Sequence, residues 1–125
     1  METEAHNPTE GVYPTDNWAM EVRGAERLLF VSGTMGLDTD GRPGASLDEQ
    51  LELVWANIRA ILASAGMTLE HVVRVTSYLR DVSYAAANAT ARVQALGGRA
   101  VPTTAIVVQT LDSAWLVEIE VIAAA

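Results

Sequence analysis

Residues 115–122 read WLVEIEVI. Along a β-strand, successive side chains point to opposite faces. One face of this stretch carries Trp115, Val117, Ile119 and Val121, and the other carries Leu116, Glu118, Glu120 and Ile122. Upstream, Ile106, Val107 and Val108 are apolar on both parities. A sheet built from these strands has apolar groups on both faces, so both faces need cover.

Working outward, residues 72–79 (VVRVTSYL) are rich in β-branched and aromatic residues and predict a strand. Residues 18–22 and 27–32 predict two more, folded as a hairpin through Gly24-Ala25. Five glycine or proline positions between 33 and 44 mark a loop. Ser46-Leu47-Asp48-Glu49 has the S-x-x-E form of a helix start. Leu47, Leu51, Val54, Ile58, Ile61 and Leu62 then follow helical spacing, with Glu52 and Arg59 off that stripe. Gly66 is placed to end this helix, which runs for about 19 residues or ~28 Å. Ser83 is the expected cap of a second, alanine-rich helix over 84–96, closed by Gly97-Gly98. Residues 103–109 and 115–122 complete the strands.

The order is therefore ββαβαββ. Two helices suffice for one face only, so the fold class is α+β, a two-layer sandwich with one mixed sheet and both helices on the same side. The second face is expected to be covered by another copy of the chain, giving a homo-oligomer. The chain is expected to be a single domain over 1–125, with residues 1–12 as an irregular arm.

Composition narrows the chemistry. Of 125 residues, 50% are apolar and 19% charged, which suits a packed core. There is no cysteine, so a disulfide framework, a thiolate zinc site and a cysteine nucleophile are excluded. Sixteen acidic against eight basic residues leave a net charge of −8, which repels RNA and DNA. No nucleic-acid partner is expected, and no apolar run is long enough for a membrane span. A basic n-region followed by an apolar stretch is missing at the start, so a cytoplasmic location is expected. No P-loop, G-x-G-x-x-G, H-E-x-x-H or G-x-S-x-G motif occurs, and His6 and His71 are too few for a histidine-rich metal site. Neither cofactor nor metal is expected.

Glu118 and Glu120 are the informative pair. Two residues apart on a strand, their carboxylates share a face at roughly 6.6–7 Å. That spacing suits acid/base work, or else one is solvated and the other pairs with an arginine. A carboxylate in a partly dry cleft has a raised pKa and handles a proton near neutrality. Tyr13 is placed as a lid or an arm anchor. Arg74, Arg80, Arg92 and Arg99 are candidate anion-binding groups, although most arginines are surface charges. Ser32-Gly33 and Thr103-Thr104 offer donors at strand ends.

Leu29-Phe30-Val31-Ser32-Gly33, residues 72–81, Pro102-Thr103-Thr104-Ala105 and the V-E-I-E run at 117–120, taken in order, resemble the Rid family (reactive intermediate deaminases, also called YjgF-type or L-PSP proteins). Leu29-Phe30-Val31-Ser32-Gly33 resembles its F-x-S-G element. Leu47-Asp48-Glu49-Gln50 with Asn57-Ile58 resembles its first helix. Residues 72–81 are similar to its V-V-K-x-T-x-F-L-x-D strand, and Asn88 sits where its second helix carries asparagine. Pro102-Thr103-Thr104-Ala105 and the V-E-I-E run at 117–120 resemble its C-terminal signature. The likeness runs over about residues 11–123.

The resemblance implies a chorismate-mutase-like homotrimer with small-molecule sites in the clefts between subunits. It implies hydrolysis of enamines or imines such as 2-aminoacrylate to 2-oxo acids and ammonia. An arginine would clamp the substrate carboxylate, and Glu118 would act on water. The lining carried over is Tyr13, Ser32, Gly33, Asn88 and Thr104. The departures matter. The family arginine position holds Thr104, which offers one neutral hydrogen bond and no charge. A lost charged contact of that kind costs about 2–5 kcal/mol. The family G-x-Y-S-Q stretch is reduced to Gly11-Val12-Tyr13-Pro14-Thr15, and its S-G-Q element reads Ser32-Gly33-Thr34. Weak or absent 2-imino acid deaminase activity is expected, unless a different arginine reaches in. A non-catalytic ligand-binding trimer and an endoribonuclease are the other two readings.

Overall fold

A computed structural model of the chain describes residues 1–15 and 18–125. Its elements are β1 (Glu2–His6), β2 (Ala19–Arg23), β3 (Leu28–Met35), α1 (Leu47–Ser64), β4 (Val72–Leu79), α2 (Ala85–Ala95), β5 (Thr103–Val107) and β6 (Val117–Ala124). Four strands form one mixed sheet in the order β3-β6-β4-β5. β6 is antiparallel to both its neighbours, and β4 runs parallel to β5 across the α2 crossover. The α1 crossover joins β3 to β4, with β6 inserted between them. Helix α1 packs on β3 and β6, and α2 lies against α1. The α+β two-layer arrangement holds. Among the described residues no helix is long and apolar enough to cross a membrane.

The core sits between helices and sheet. Val117, Ile119, Val121 and Ala123 of β6 are buried there, with Val75 and Leu79 of β4 and Val54, Ile58 and Leu62 of α1. This is the all-apolar parity of the strand at 115–122; the other parity, with Glu118 and Glu120, faces away from the helices.

Local signals place the helix ends. Ser46 Oγ accepts from the Glu49 amide at 3.2 Å, and the Glu49 carboxylate accepts from the Ala45 amide at 2.8 Å. Gly66 is left-handed, φ 70°, and ends α1. Gly97 and Gly98, φ 63° and 78°, end α2. Gln50 is buried on α1 and ties the helix to the turn before β6. Its Nε2 donates to the carbonyls of Gly44 and Ala114, and its Oε1 accepts from the Leu116 amide.

Four expectations need correction. Residues 2–6 are not irregular: β1 pairs antiparallel with β2, register Glu4 opposite Glu21. The strand escaped detection because it has no apolar alternation and is held by backbone pairing and cross-strand charge. Arg23 contacts Glu4 at 3.0 Å and Glu21 at 2.7 Å, and His6 contacts Glu21 at 2.9 Å. Consequently 18–22 and 27–32 do not form a hairpin; β3 pairs with β6 instead. Ser83 does not cap α2. Asp81 accepts from the Ser83 amide and hydroxyl and starts a single 3-10 turn, from which α2 begins at Ala85. β5 stops at Val107, two residues short of the expected end.

Candidate functional site

The sheet face without helices is where the titratable groups gather. The register aligns Glu120, Thr76 and Thr104 in one row across β6, β4 and β5, and Glu118, Tyr78 and Ile106 in the next. Phe30 and Ile122 pair across β3 and β6 at the edge of the same face. Phe30 is 70% exposed and Ile106 46% exposed. A shallow cavity of about 310 Å³ opens among Phe30, Ile122, Arg74, Thr76 and Glu120.

The two carboxylates occupy different environments. The Tyr78 hydroxyl donates to Glu120 Oε1 at 2.6 Å. That bond foremost, then burial and the charges of Glu120 and Glu118, hold the phenol above its ordinary pKa, while Arg74 pulls the other way. Glu120 is thus already engaged. Glu118 has no hydrogen-bond or ion-pair partner among the described residues.

Backbone geometry sets where the Glu118 carboxylate lies. β3 carries an irregularity between Val31 and Thr34, so Ser32 and Gly33 together span one step of the ladder with β6. The Glu118 side chain runs over Gly33, where any Cβ would overlap its carboxylate and approach its Cδ to 3.0 Å. A side chain at position 33 would therefore displace the Glu118 carboxylate.

The remaining expected residues are scattered. Thr104 lies on the same face, but its hydroxyl accepts from Arg74 Nη2 at 2.6 Å. Ser32 is exposed and its carbonyl accepts from Thr34 Oγ1. Tyr13 is exposed in the segment between β1 and β2. Asn88 is 1% exposed on the inward side of α2, with its Oδ1 unpartnered among the described residues. Glu118, Gly33 and Thr104 are brought to one face, whereas Asn88 is sequestered from it within the protomer.

Sequence reasoning gave Arg74 only a general role and missed Tyr78. Both share a parity with Thr76 on β4, the parity opposite buried Val75 and Leu79, so period-two alternation contained the signal. The other arginines brace structure or stand free. Arg80 donates to Thr110 Oγ1 at 2.7 Å, and Arg99 to the carbonyls of Leu69 and Val72. His71 closes the turn before β4, its Nδ1 accepting from the Thr68 amide at 2.9 Å. Among the described residues, the nearest approach to a metal-ligand set is Glu4, His6 and Glu21 on the β1–β2 ribbon. All three are exposed, and Arg23 already pairs with both carboxylates.

Comparison with known proteins agrees with this architecture. Residues 9–125 match the family model described as endoribonuclease L-PSP. The RutC family protein YjgH of Escherichia coli is 36% identical over 70 residues, 56% of this chain and 53% of that protein. A RutC family protein of Aquifex aeolicus is 37% identical over 65 residues, 51% of this chain and 50% of that protein. The matches thus span about half the length of these two relatives. A RutC family protein of Pyrococcus horikoshii is 33% identical over 101 residues, 79% of this chain and 80% of that protein. Among solved structures, a conserved Rid-family protein of unknown function from Yersinia pestis superposes with a TM-score of 0.81 at 29% identity, covering 100% of both chains.

Proposed function

This chain belongs to the endoribonuclease L-PSP family, which includes the YjgF and Rid proteins, and from that premise we propose that it is a small-molecule hydrolase acting on imines or enamines at the open sheet face. The observation that carries the reading is the contrast between two neighbouring carboxylates. Glu120 is held by Tyr78, while Glu118 lies over Gly33 without a partner among the described residues, placed to engage water.

The chemistry balances with one group. Glu118 accepts a proton from water as the oxygen attacks the imine carbon. The proton passes to the nitrogen and gives a carbinolamine; Glu118 then takes the hydroxyl proton and delivers it to the same nitrogen as the C=O forms, so the C–N bond breaks and a carbonyl compound and ammonia leave. An enamine enters the same route once a proton reaches its carbon. Neither metal nor redox cofactor is needed for this balance.

We place the site in a cleft between copies of the chain, as a homotrimer. The exposed Phe30 and Ile106 on the same face as Glu118 support this, because apolar groups beside a water-activating carboxylate are best covered by another subunit. A cover of that kind also excludes bulk water.

Thr104 shapes the substrate range. The charge near it comes from Arg74, which already donates to the Thr104 hydroxyl at 2.6 Å. A short 2-imino acid therefore gains little two-point binding, and its hydrolysis is expected to be weak. RNA cleavage, which the family description names, is disfavoured by the net charge of −8.

The test follows ammonia release from imines generated in place by an amino-acid oxidase, across side chains of increasing size. Wild type is expected to accelerate hydrolysis of the larger imines. Glu118→Gln should lose that acceleration while keeping the fold. Equal rates in both proteins would overturn the assignment, and binding that survives with no acceleration of any imine would favour a ligand-binding trimer.

A further inference from the structure

Helices α1 and α2 enclose a cavity of about 760 Å³ between them, in the layer opposite the open sheet face. Every residue that lines it comes from one of the two helices, so cover of the sheet face by another copy leaves it open. The volume lies within the range of small-ligand sites.

The floor is apolar. Leu51 and Trp55 are 3% and 4% exposed. Ala87, Ala91 and Ala95 recur every four residues along α2, in one row, and their methyl groups leave space that larger side chains would fill. A row of alanines alone suits close helix packing, but two further features call for a ligand. Trp55 forms part of the wall, and its Nε1 is buried without a hydrogen-bond partner among the described residues. The Thr90 hydroxyl, on the α2 wall, donates to the Ala86 carbonyl at 3.1 Å. The fold has already taken water from the indole donor, so an acceptor brought by a ligand gains a hydrogen bond with little further desolvation.

The second feature is charge. Asp48 and Glu52 lie one turn apart on α1, and neither has a partner among the described residues. The helix dipole accounts for Asp48 in the first turn. It does not account for Glu52, because the effect falls off beyond that turn. Arg59 also lines the cavity but stands two turns past Glu52, about 10 Å along the axis, so the acidic end keeps its charge.

We propose that this cavity binds a small aromatic amine whose ring carries a hydrogen-bond acceptor. The ammonium lies between Asp48 and Glu52, the ring against Leu51 and the alanine row, and the acceptor at Trp55 Nε1. Glu52 and Trp55 are neighbours on the helix surface, three residues apart, so one substituted ring spans both contacts. The net charge of −8 favours the approach of a cation. No residue of the cavity lies on the open sheet face, so binding here does not depend on hydrolysis there.

Calorimetric titration tests it, with para-aminomethylbenzamide, benzylamine and benzamide as probes. The first should bind saturably. It should bind more tightly than benzylamine, which lacks the acceptor, and more tightly than benzamide, which lacks the cation. Glu52→Gln, checked for folding by circular dichroism, should weaken binding of both amines on the order of tenfold. Trp55→Phe should bind para-aminomethylbenzamide and benzylamine nearly alike, having lost the indole donor. Glu70→Gln, in the turn before β4, should bind as wild type does. Absence of saturation by either amine below about 10 mM, or affinity unchanged in folded Glu52→Gln, overturns the proposal. A change of oligomeric state in Glu52→Gln would assign the groove to a protein contact and overturn it as well. Imine hydrolysis by Glu52→Gln should match wild type, so failure of binding here and failure of turnover at Glu118 are read separately.

Discussion

Arg74 donates a hydrogen bond to the hydroxyl of Thr104 at 2.6 Å, across 30 residues of sequence. The parallel pairing of β4 with β5 sets Thr76 beside Thr104, and Arg74 reaches it from two residues earlier on β4. A position that reads as uncharged along the chain is therefore in contact with a cation. The charge sits at the base of the position, on a neighbouring strand, which alters the kind of acid the face can hold.

Restoring charge at the position itself should widen the substrate range. Thr104→Arg is expected to raise hydrolysis of short 2-imino acids by roughly 30-fold or more, the equivalent of about 2 kcal/mol from a bidentate carboxylate contact. The gain should appear mainly in KM. Initial rates with a small and a large imine, measured on the same preparation, check it. An unchanged preference between the two would contradict the role given to Thr104.

Gly33 is expected to matter for turnover more than for stability. The atoms a Cβ would meet belong to the far end of Glu118, which can swing aside. Gly33→Ala should therefore change Tm little, yet lower imine hydrolysis on the order of a hundredfold by displacing the carboxylate. Gly36 makes the contrast: its Cβ would approach the Cα of Gln50 to 2.6 Å, and a buried helix cannot yield in that way. Gly36→Ala should cost stability, read by urea denaturation. If Gly33→Ala destabilised as strongly and left activity per folded molecule intact, the positioning argument would fail.

The Tyr78–Glu120 bond carries a pH signature. The phenol's pKa is raised in the folded chain above its reference value of 10.0, chiefly because its proton is held by Glu120. A raised folded pKa gives stability that is fully present below the unfolded pKa and is lost as pH rises through the folded value. The contribution is thus constant through neutrality and fades only in strong alkali. Ultraviolet titration of the three tyrosines should show one ionising later than the others. That late step should vanish in Tyr78→Phe.

Self-association should depend on Phe30, which is 70% exposed on the open face. Wild type is expected to sediment as a trimer at micromolar concentration. Phe30→Asp places a charge where an apolar contact is expected, and should shift the population toward monomer without unfolding it. A wild-type monomer under these conditions would remove the intersubunit cleft.

Much of this protein was legible without its fold. The spacing of Leu51, Val54, Ile58 and Leu62 predicted α1, and Ser46 and Gly66 predicted its ends, because helix periodicity and capping are local. The alternation at 115–122 separated an all-apolar face from one carrying Glu118 and Glu120, for the same reason. The residues that place the chain in its family were readable as they stand. Pairing was not legible, because alternation names the face a residue occupies but not the strand beside it. Only the tertiary structure inserted β6 between β3 and β4, joined β1 to β2 through charge in place of apolar pattern, buried Asn88 on the inward side of α2, and brought Arg74 onto Thr104. Those contacts join residues far apart in sequence, and their energies depend on register and packing that no local window contains.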